Sequence, residues 1–337
     1  LLAWLTLSSW NEKEITSWAN RFARQTNRAP KDAHFRYDPK TKHVEQFTPA
    51  KDGLTVKKEQ LVQNLLTSLA QLENKAEIEL EVPVDRVAPK IKNADVNNLG
   101  IKELIGRGES RFSGSIPNRI FNVNLAAGKM DGILIPPGET FSFVKYIGDI
   151  SAATGYKPAY VIKEGRTVLG DGGGVCQVSS TMFRAALNAG LPIVERWAHA
   201  YRVHYYEEES QLGLDATIFA PSVDLKFKND TPGHILIQTE IDVPNVRLVF
   251  NMYGTKDGRK AVISDSKVWG VAPPPPTLYQ DDPTLPMGRL VQIDWSAWGA
   301  KASFDYKVTR GTEVLQNQTF YSSFRPWRAI YLRGTKI

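Results

Sequence analysis

The chain has 337 residues, 42% of them hydrophobic and 10% aromatic, with a formal net charge of +6 and a single cysteine. That composition excludes a disordered or low-complexity chain and suits two or three folded domains, and one cysteine excludes an intrachain disulfide. No basic run is interleaved with aromatics, which argues against nucleic acid; the positive charge suits an anionic surrounding such as wall polymer or a membrane surface, or a solvated face.

Leu1 to Leu7 is apolar but too short to span a bilayer, and the first residue is not Met. It reads as a strand or as the tail of a removed anchor, the one membrane link expected. Asn11 to Arg24 reads as an amphipathic helix capped by Asn11, with Ile15, Trp18, Ala19 and Phe22 on one face. Ala33 to Tyr37 and His43 to Phe47 read as strands, Asp52-Gly53 as a turn, Val56 to Leu72 as a helix, and Ala76 to Val87 as an alternating strand. A connector follows from Ala88, and the Gly, Ser and Arg-rich stretch from Gly106 marks a domain boundary. Asn118 to Lys129 reads as a helix, and Ile133 to Ile135 runs into a Pro-Pro-Gly turn that no helix survives. Pro158 to Ile162 and Thr167 to Leu169 are strands around a turn at Gly165 that deliver the chain to a glycine run.

That run, Gly172-Gly173-Gly174-Val175-Cys176-Gln177, holds the chain's cysteine at the start of a helix. Val178, Met182, Ala185, Ala186 and Ala189 fall at helical spacing, and Gly190 with Pro192 stops it. A thiol at a helix N-terminus meets unpaired backbone N–H groups and the positive end of the dipole, which favour the thiolate. The glycines allow a substrate or another piece of chain to approach closely. Downstream, Leu191 to Tyr206 reads as strand-rich and carries His199 and His204, and Asp215 opens another short strand. Cysteine on a helix, then histidine, then aspartate is the chain order of papain-like and transglutaminase-like thiol enzymes. Their chemistry needs a nucleophile, a base in reach of it, and a group that orients the base. The other reading of a lone cysteine is a small buried side chain on a packing helix.

From Asp224 the pattern is β: Asp224 to Lys228, His234 to Ile241, and Val246 to Met252 in clean alternation. No two histidines have metal-ligand spacing, so no zinc and no cofactor is expected. Ala272-Pro273-Pro274-Pro275-Pro276 is a stiff linker. Short strands follow at Leu290 to Asp294, Ala302 to Thr309, Glu313 to Tyr321 and Ala329 to Leu332. Trp295, Trp298, Tyr321, Phe324 and Trp327 either stack on sugar faces or cover a thin sheet.

Asn118-Arg119, Asn122, Pro136 to Phe143, Gly148-Asp149, Gly155-Tyr156, Gly172 to Thr181, Glu195-Arg196, His199, Asp215 to Thr217 and Asp224 to Asn229 resemble the VanW family, named after an accessory protein of bacterial vancomycin resistance. The resemblance runs from about Ser110 to Gly254. It implies a cell-envelope location and sets Cys176, His199 and Asp215 at recurrent polar positions, while His204 stands where a small residue is expected. The N-terminal α+β unit resembles the peptidoglycan-binding domain often found before VanW domains, on Asp32-Ala33 with Phe35, the Asp52-Gly53 turn and the strand from Glu79 to Pro89. The tail, closing on Pro326 to Thr335, resembles a G-five domain, a module thought to bind amino-sugar polymers.

The expected architecture is multidomain α+β. A small α+β unit spans 1–105, a papain/transglutaminase-like α+β VanW domain 106–271, and a small all-β G-five-like domain 272–337. Two functions stay open. In one, an extracellular, envelope-associated protein binds peptidoglycan or wall glycan and carries out thiol-dependent acyl transfer or hydrolysis on it. Cys176 is then the nucleophile, His199 the base and Asp215 its orienting group, with Gly173, Gly174, Gln177, Arg119, Trp295, Trp298 and Trp327 binding substrate. In the other, the chain is a non-catalytic wall-binding scaffold.

Overall fold

The computed structural model describes residues 11–31, 33–41, 43–48, 50–69, 79–89, 99–163 and 166–336. It divides into two compact units, 1–35 with 45–98 and 36–44 with 99–337. The expected apolar stretch at the N-terminus, the turn at Gly165, and the ends of the predicted second helix and fourth strand lie outside the described residues.

In the first unit, helix α1 (Glu12–Thr26) starts where expected: Asn11 Oδ1 accepts from the Lys13 and Glu14 N–H groups. The division between the units falls within the paired strands β1 (His34–Asp38) and β2 (His43–Thr48); β3 (Gly53–Val56), α2 (Lys58–Leu69) and β4 (Val84–Val87) belong to the first. Ala19 and Ala23 of α1 meet Val56, Leu61 and Val62 in a small core. The long alternating strand expected before Val87 is only four residues long. Its partner β3 ends at Val56 opposite Val84, and Pro83, with no N–H to donate, precedes it.

The second unit opens with β5 (Glu103–Arg111) and α3 (Pro117–Gly128), the latter with proline in its first turn. Strands β6 (Leu134–Ile135) and β7 (Thr140–Ser142), α4 (Phe143–Ile147), and the hairpin of β8 (Pro158–Lys163) and β9 (Arg166–Asp171) lead to α5 (Val175–Asn188). Then come β10 (Ile193–Glu195), β11 (Lys226–Lys228), β12 (Ile235–Asp242) and β13 (Arg247–Gly254). An antiparallel sheet in the order β5-β13-β12-β6 forms a platform, and a smaller sheet runs β10-β11-β7. Helix α5 lies directly on β5: a Cβ at Gly108 would strike the Thr181 carbonyl and the Ala185 nitrogen. Ser110 Oγ and Thr181 Oγ1 bond across that contact at 2.6 Å. Nearly every side chain from Gln177 to Leu187 is buried, so the helix that carries the cysteine is the centre of the core.

The remaining strands are β14 (Arg259–Ile263), β15 (Lys267–Ala272), β16 (Leu278–Pro286), β17 (Leu290–Asp294), β18 (Gly299–Arg310), β19 (Glu313–Phe324) and β20 (Ile330–Lys336). Strands β14 and β15 both pair with β18, which also pairs with β19; β16 and β17 flank β20. One sheet therefore crosses the expected boundary at 272, with two strands before the proline run and two after it. Phe304, Tyr306, Val308 and Phe320 from this sheet join the same core as α5, where Phe183 meets Phe320 edge-on at 5.6 Å. The prolines, which cannot donate to a ladder, connect β15 to β16 inside one compact unit. The architecture is α+β, as the sequence indicates. Among the described residues no helix is long and apolar enough to cross a membrane.

Candidate functional site

Glycine at 173 and 174 is required by the protein's own packing. A Cβ on Gly173 would sit 2.6 Å from the Tyr160 carbonyl, and one on Gly174 would press on Arg119 and Val123 of α3 at 3.1 and 3.0 Å. Gly174 also caps α5 at a φ of +112°, a region side chains avoid. These two expected substrate contacts are thus where β8 and α3 close on the start of the helix. Cys176 follows as the second residue of α5, half-buried.

His199 does not sit on a strand as expected. β10 ends at Glu195, and beyond it only Trp197 makes a bridge, to Thr217. The His199 N–H donates instead to Asp215 Oδ2 at 2.8 Å, so a side chain takes the place of a ladder partner. The same oxygen lies 2.6 Å from His199 Nδ1. Asp215 opens a loop, not a strand, that Ser179 and Ser180 clamp from α5: both hydroxyls donate to the Ala216 carbonyl, at 2.6 and 3.3 Å, and Ser180 Oγ accepts from the Ala216 N–H at 3.0 Å. This brings the thiol beside Thr217 Oγ1, 3.6 Å from Sγ, and the Ile218 carbonyl, 3.8 Å away. The side chain of His204 lies outside the described residues.

With Nδ1 committed to Asp215, His199 keeps Nε2 buried without a hydrogen-bond partner among the described residues. No bond to sulfur is formed, yet thiol and imidazole interact closely enough for each to shift the other. Burial pushes the Cys176 thiol up, but the influence of the neighbouring His199 imidazole outweighs it and holds the group below its ordinary value. Burial pushes His199 down, but the Asp215 carboxylate and the Cys176 sulfur raise it to about 9. Asp215, despite burial, is held down to about 2 by His199 and then by Arg196. All three shifts point the same way, favouring the charged forms of the thiol, the imidazole and the carboxyl.

The other expected site residues are placed differently. Gln177 is fully buried, its amide donating to Ser110 Oγ and the Arg111 carbonyl and its Oε1 accepting from Arg119. Arg119 also bonds Ser115 Oγ at 2.7 Å and lies over the Tyr205 ring. Both spend their polar atoms on the protein and support the start of α5. Trp295 and Trp298 are more than half exposed, Trp295 edge-on to Tyr160 at 6.0 Å. Trp327 is stacked on Tyr201, with ring centroids 4.4 Å apart, so that face is occupied. Sequence reasoning missed Arg196 and Arg184, whose guanidiniums are buried against the Asp215 loop, and Tyr206, whose ring packs 4.7 Å from that of His199. The Glu195-Arg196 pair was visible; the burial of the Arg196 side chain was not. Among the described residues no three His, Cys, Asp or Glu side chains are grouped to hold a metal.

Residues 118–253 match the family model described as VanW like protein. The chain is 36% identical over 161 residues to the Bacillus subtilis protein "Uncharacterized protein YoaR", covering 48% of this chain and 52% of that one. It is 37% identical over 115 residues to "Vancomycin B-type resistance protein VanW" of Enterococcus faecalis, covering 34% of this chain and 42% of that one. The chain thus spans about half the length of the curated relatives it matches. Among solved structures, an IgA1 protease G5 domain is 16% identical with a TM-score of 0.15, covering 25% of this chain and 100% of that one. A second, HP0197-G5, is 16% identical with a TM-score of 0.12, covering 23% and 97%. Likeness that slight carries nothing further. Cys176, His199 and Asp215 all lie in the segment that is similar to the VanW family.

Proposed function

We propose that this chain is a cell-envelope protein whose VanW-like domain performs thiol-dependent acyl transfer or hydrolysis on peptidoglycan peptides. The observation that supports it is the buried, unpartnered Nε2 of His199 next to a thiol it acidifies, with Nδ1 fixed by Asp215. The Cys176 thiolate attacks a peptide carbonyl, and its N–H, in the first turn of α5 where intrahelical partners are lacking, helps hold the developing oxyanion. His199 Nε2 gives its proton to the departing amine, leaving a thioester. An incoming amine or water then gives a proton to the same nitrogen and attacks the carbonyl carbon, and the sulfur leaves as thiolate, restoring the starting pair. The exposed faces of Trp295 and Trp298 suit wall glycan, and Trp327, stacked on Tyr201, contributes less. The protein is placed outside the cell as part of this proposal, because peptidoglycan, the proposed substrate, lies there.

The second reading, a non-catalytic wall-binding scaffold, draws on the half-burial of the thiol and the 6% exposure of His199. Intact-mass analysis after incubating the full chain with soluble muropeptides separates the two. Acyl transfer predicts an adduct on the wild type that Cys176→Ala abolishes, with altered muropeptides in solution. Unmodified protein and unchanged muropeptides, identical to the Cys176→Ala control, would leave the scaffold.

A further inference from the structure

We propose that Arg196 is a positioning residue for the Cys176–His199 pair and that, through it, strand β19 beyond the proline run is part of the thiol centre. The inference rests on the acyl-transfer reading above. The Arg196 side chain is 3% exposed. Its Nε donates to the Asp215 carbonyl at 2.7 Å. One terminal nitrogen donates to the Gly213 carbonyl at 2.7 Å, to Asp215 Oδ1 at 3.1 Å and to Ser322 Oγ at 3.1 Å. The other reaches the Tyr321 carbonyl at 3.1 Å. Arg184 of α5 takes the carbonyl in between, that of Leu214, at 3.0 Å. Three successive carbonyls ending at Asp215 are therefore gripped by buried guanidiniums.

The consequence for the pair is geometric. Oδ1 of Asp215 is anchored by Arg196, so the carboxylate cannot rotate and Oδ2 is left to the two N–H groups of His199. Arg196 acts on Asp215, whose carboxyl it helps hold down. The other titratable or charged groups in electrostatic reach include Tyr206, which Cys176, Asp215, Arg119 and Tyr201 influence, and Arg184, which Asp215, Tyr206 and Glu209 influence. A single lysine ammonium supplies the charge of Arg196 but not its planar fork, so the two roles separate by substitution. The partners at Tyr321 and Ser322 lie on β19, and the Arg325 N–H donates to the Ala200 carbonyl beside His199. The last third of the chain thus fixes the histidine loop, which an independent glycan-binding module would not do.

The test is the pH dependence of iodoacetamide alkylation in the full chain, with folding followed by circular dichroism. Arg196→Met and Arg196→Lys should both raise the alkylation midpoint by roughly half a pH unit or more, and Ser322→Ala should raise it by less. Should the methionine variant not fold, the lysine and Ser322 variants carry the test. A wild-type midpoint in Arg196→Lys and Ser322→Ala, while His199→Ala is shifted, overturns the positioning role alone. A midpoint that His199→Ala also leaves untouched removes the acyl-transfer reading, and the role of Arg196 with it.

Discussion

Asp215 is the residue on which the local charges converge: His199 takes one oxygen, Arg196 the other. Its carboxyl is held from the ordinary 3.8 down to about 2, so its contribution to folding is present above the unfolded value and is lost as pH falls through the folded one. That shift corresponds to about 2 kcal/mol. The stability gap between wild type and Asp215→Asn should be widest above pH ~4 and shrink toward pH ~2, measured by urea unfolding at stepped pH. A gap that does not change with pH would mean the charge of Asp215 is not what stabilises the fold. His199 has the opposite sign: raised from 6.5 to about 9, it contributes below the lower value and loses that contribution as pH rises through the upper. That Cys176, His199 and Asp215 come together was legible from their chain order and from the resemblance to the VanW family. Arg196 and Arg184 were not, because a guanidinium reads as surface until three loop carbonyls are known to converge on it.

At the scale of elements, α5 is where local and global signals agree. Its glycine run, apolar spacing and Gly-Pro stop predict a helix, and burial of nearly all of it against β5 and the later sheet makes it one. The contact is intolerant at Gly108, where a side chain would meet the α5 backbone. Gly108→Ala should cost at least about 1–3 kcal/mol in thermal unfolding, whereas Gly128→Ala, with nothing within 4 Å, should be near neutral. Equal effects from the two substitutions would contradict the packing of α5 on β5. The segments around His199 and Asp215 read as strands because their composition is β-like. They are loops because side chains from far away in sequence, Asp215, Arg196, Ser179 and Ser180, satisfy their backbone. Strands β14 and β15 were silent for another reason: both are largely exposed edge strands whose partner β18 begins beyond the proline run, so no buried stripe marks them.

For the second unit as a whole, the proline run separates less than its composition suggests. Since β14 and β15 lie before it and their partner β18 after it, cutting the backbone within 273–276 leaves the sheet's hydrogen bonds and the Phe183–Phe320 contact in place. A protease site inserted there and cleaved should give two fragments that co-elute in native size-exclusion chromatography and part only in denaturant. Fragments that separate under native conditions would show that the residues after 276 fold as an independent module. Cleavage that leaves the pieces together should also leave the thiol's ionisation intact, since Arg196 keeps its partners on β19.

The central claim is that folding makes Cys176 one half of a thiolate–imidazolium pair, and a thiolate ultraviolet titration tests it most directly. The chain has one cysteine, so the absorbance difference between wild type and a Cys176→Ser blank belongs to that sulfur alone. The wild type should show thiolate at neutral pH, with a midpoint clearly below the free value of about 8.5 that moves back toward it on His199→Ala and in urea. A midpoint at or above about 8.5 that is indifferent to His199 would contradict the account and leave Cys176 as a packing residue on a structural helix.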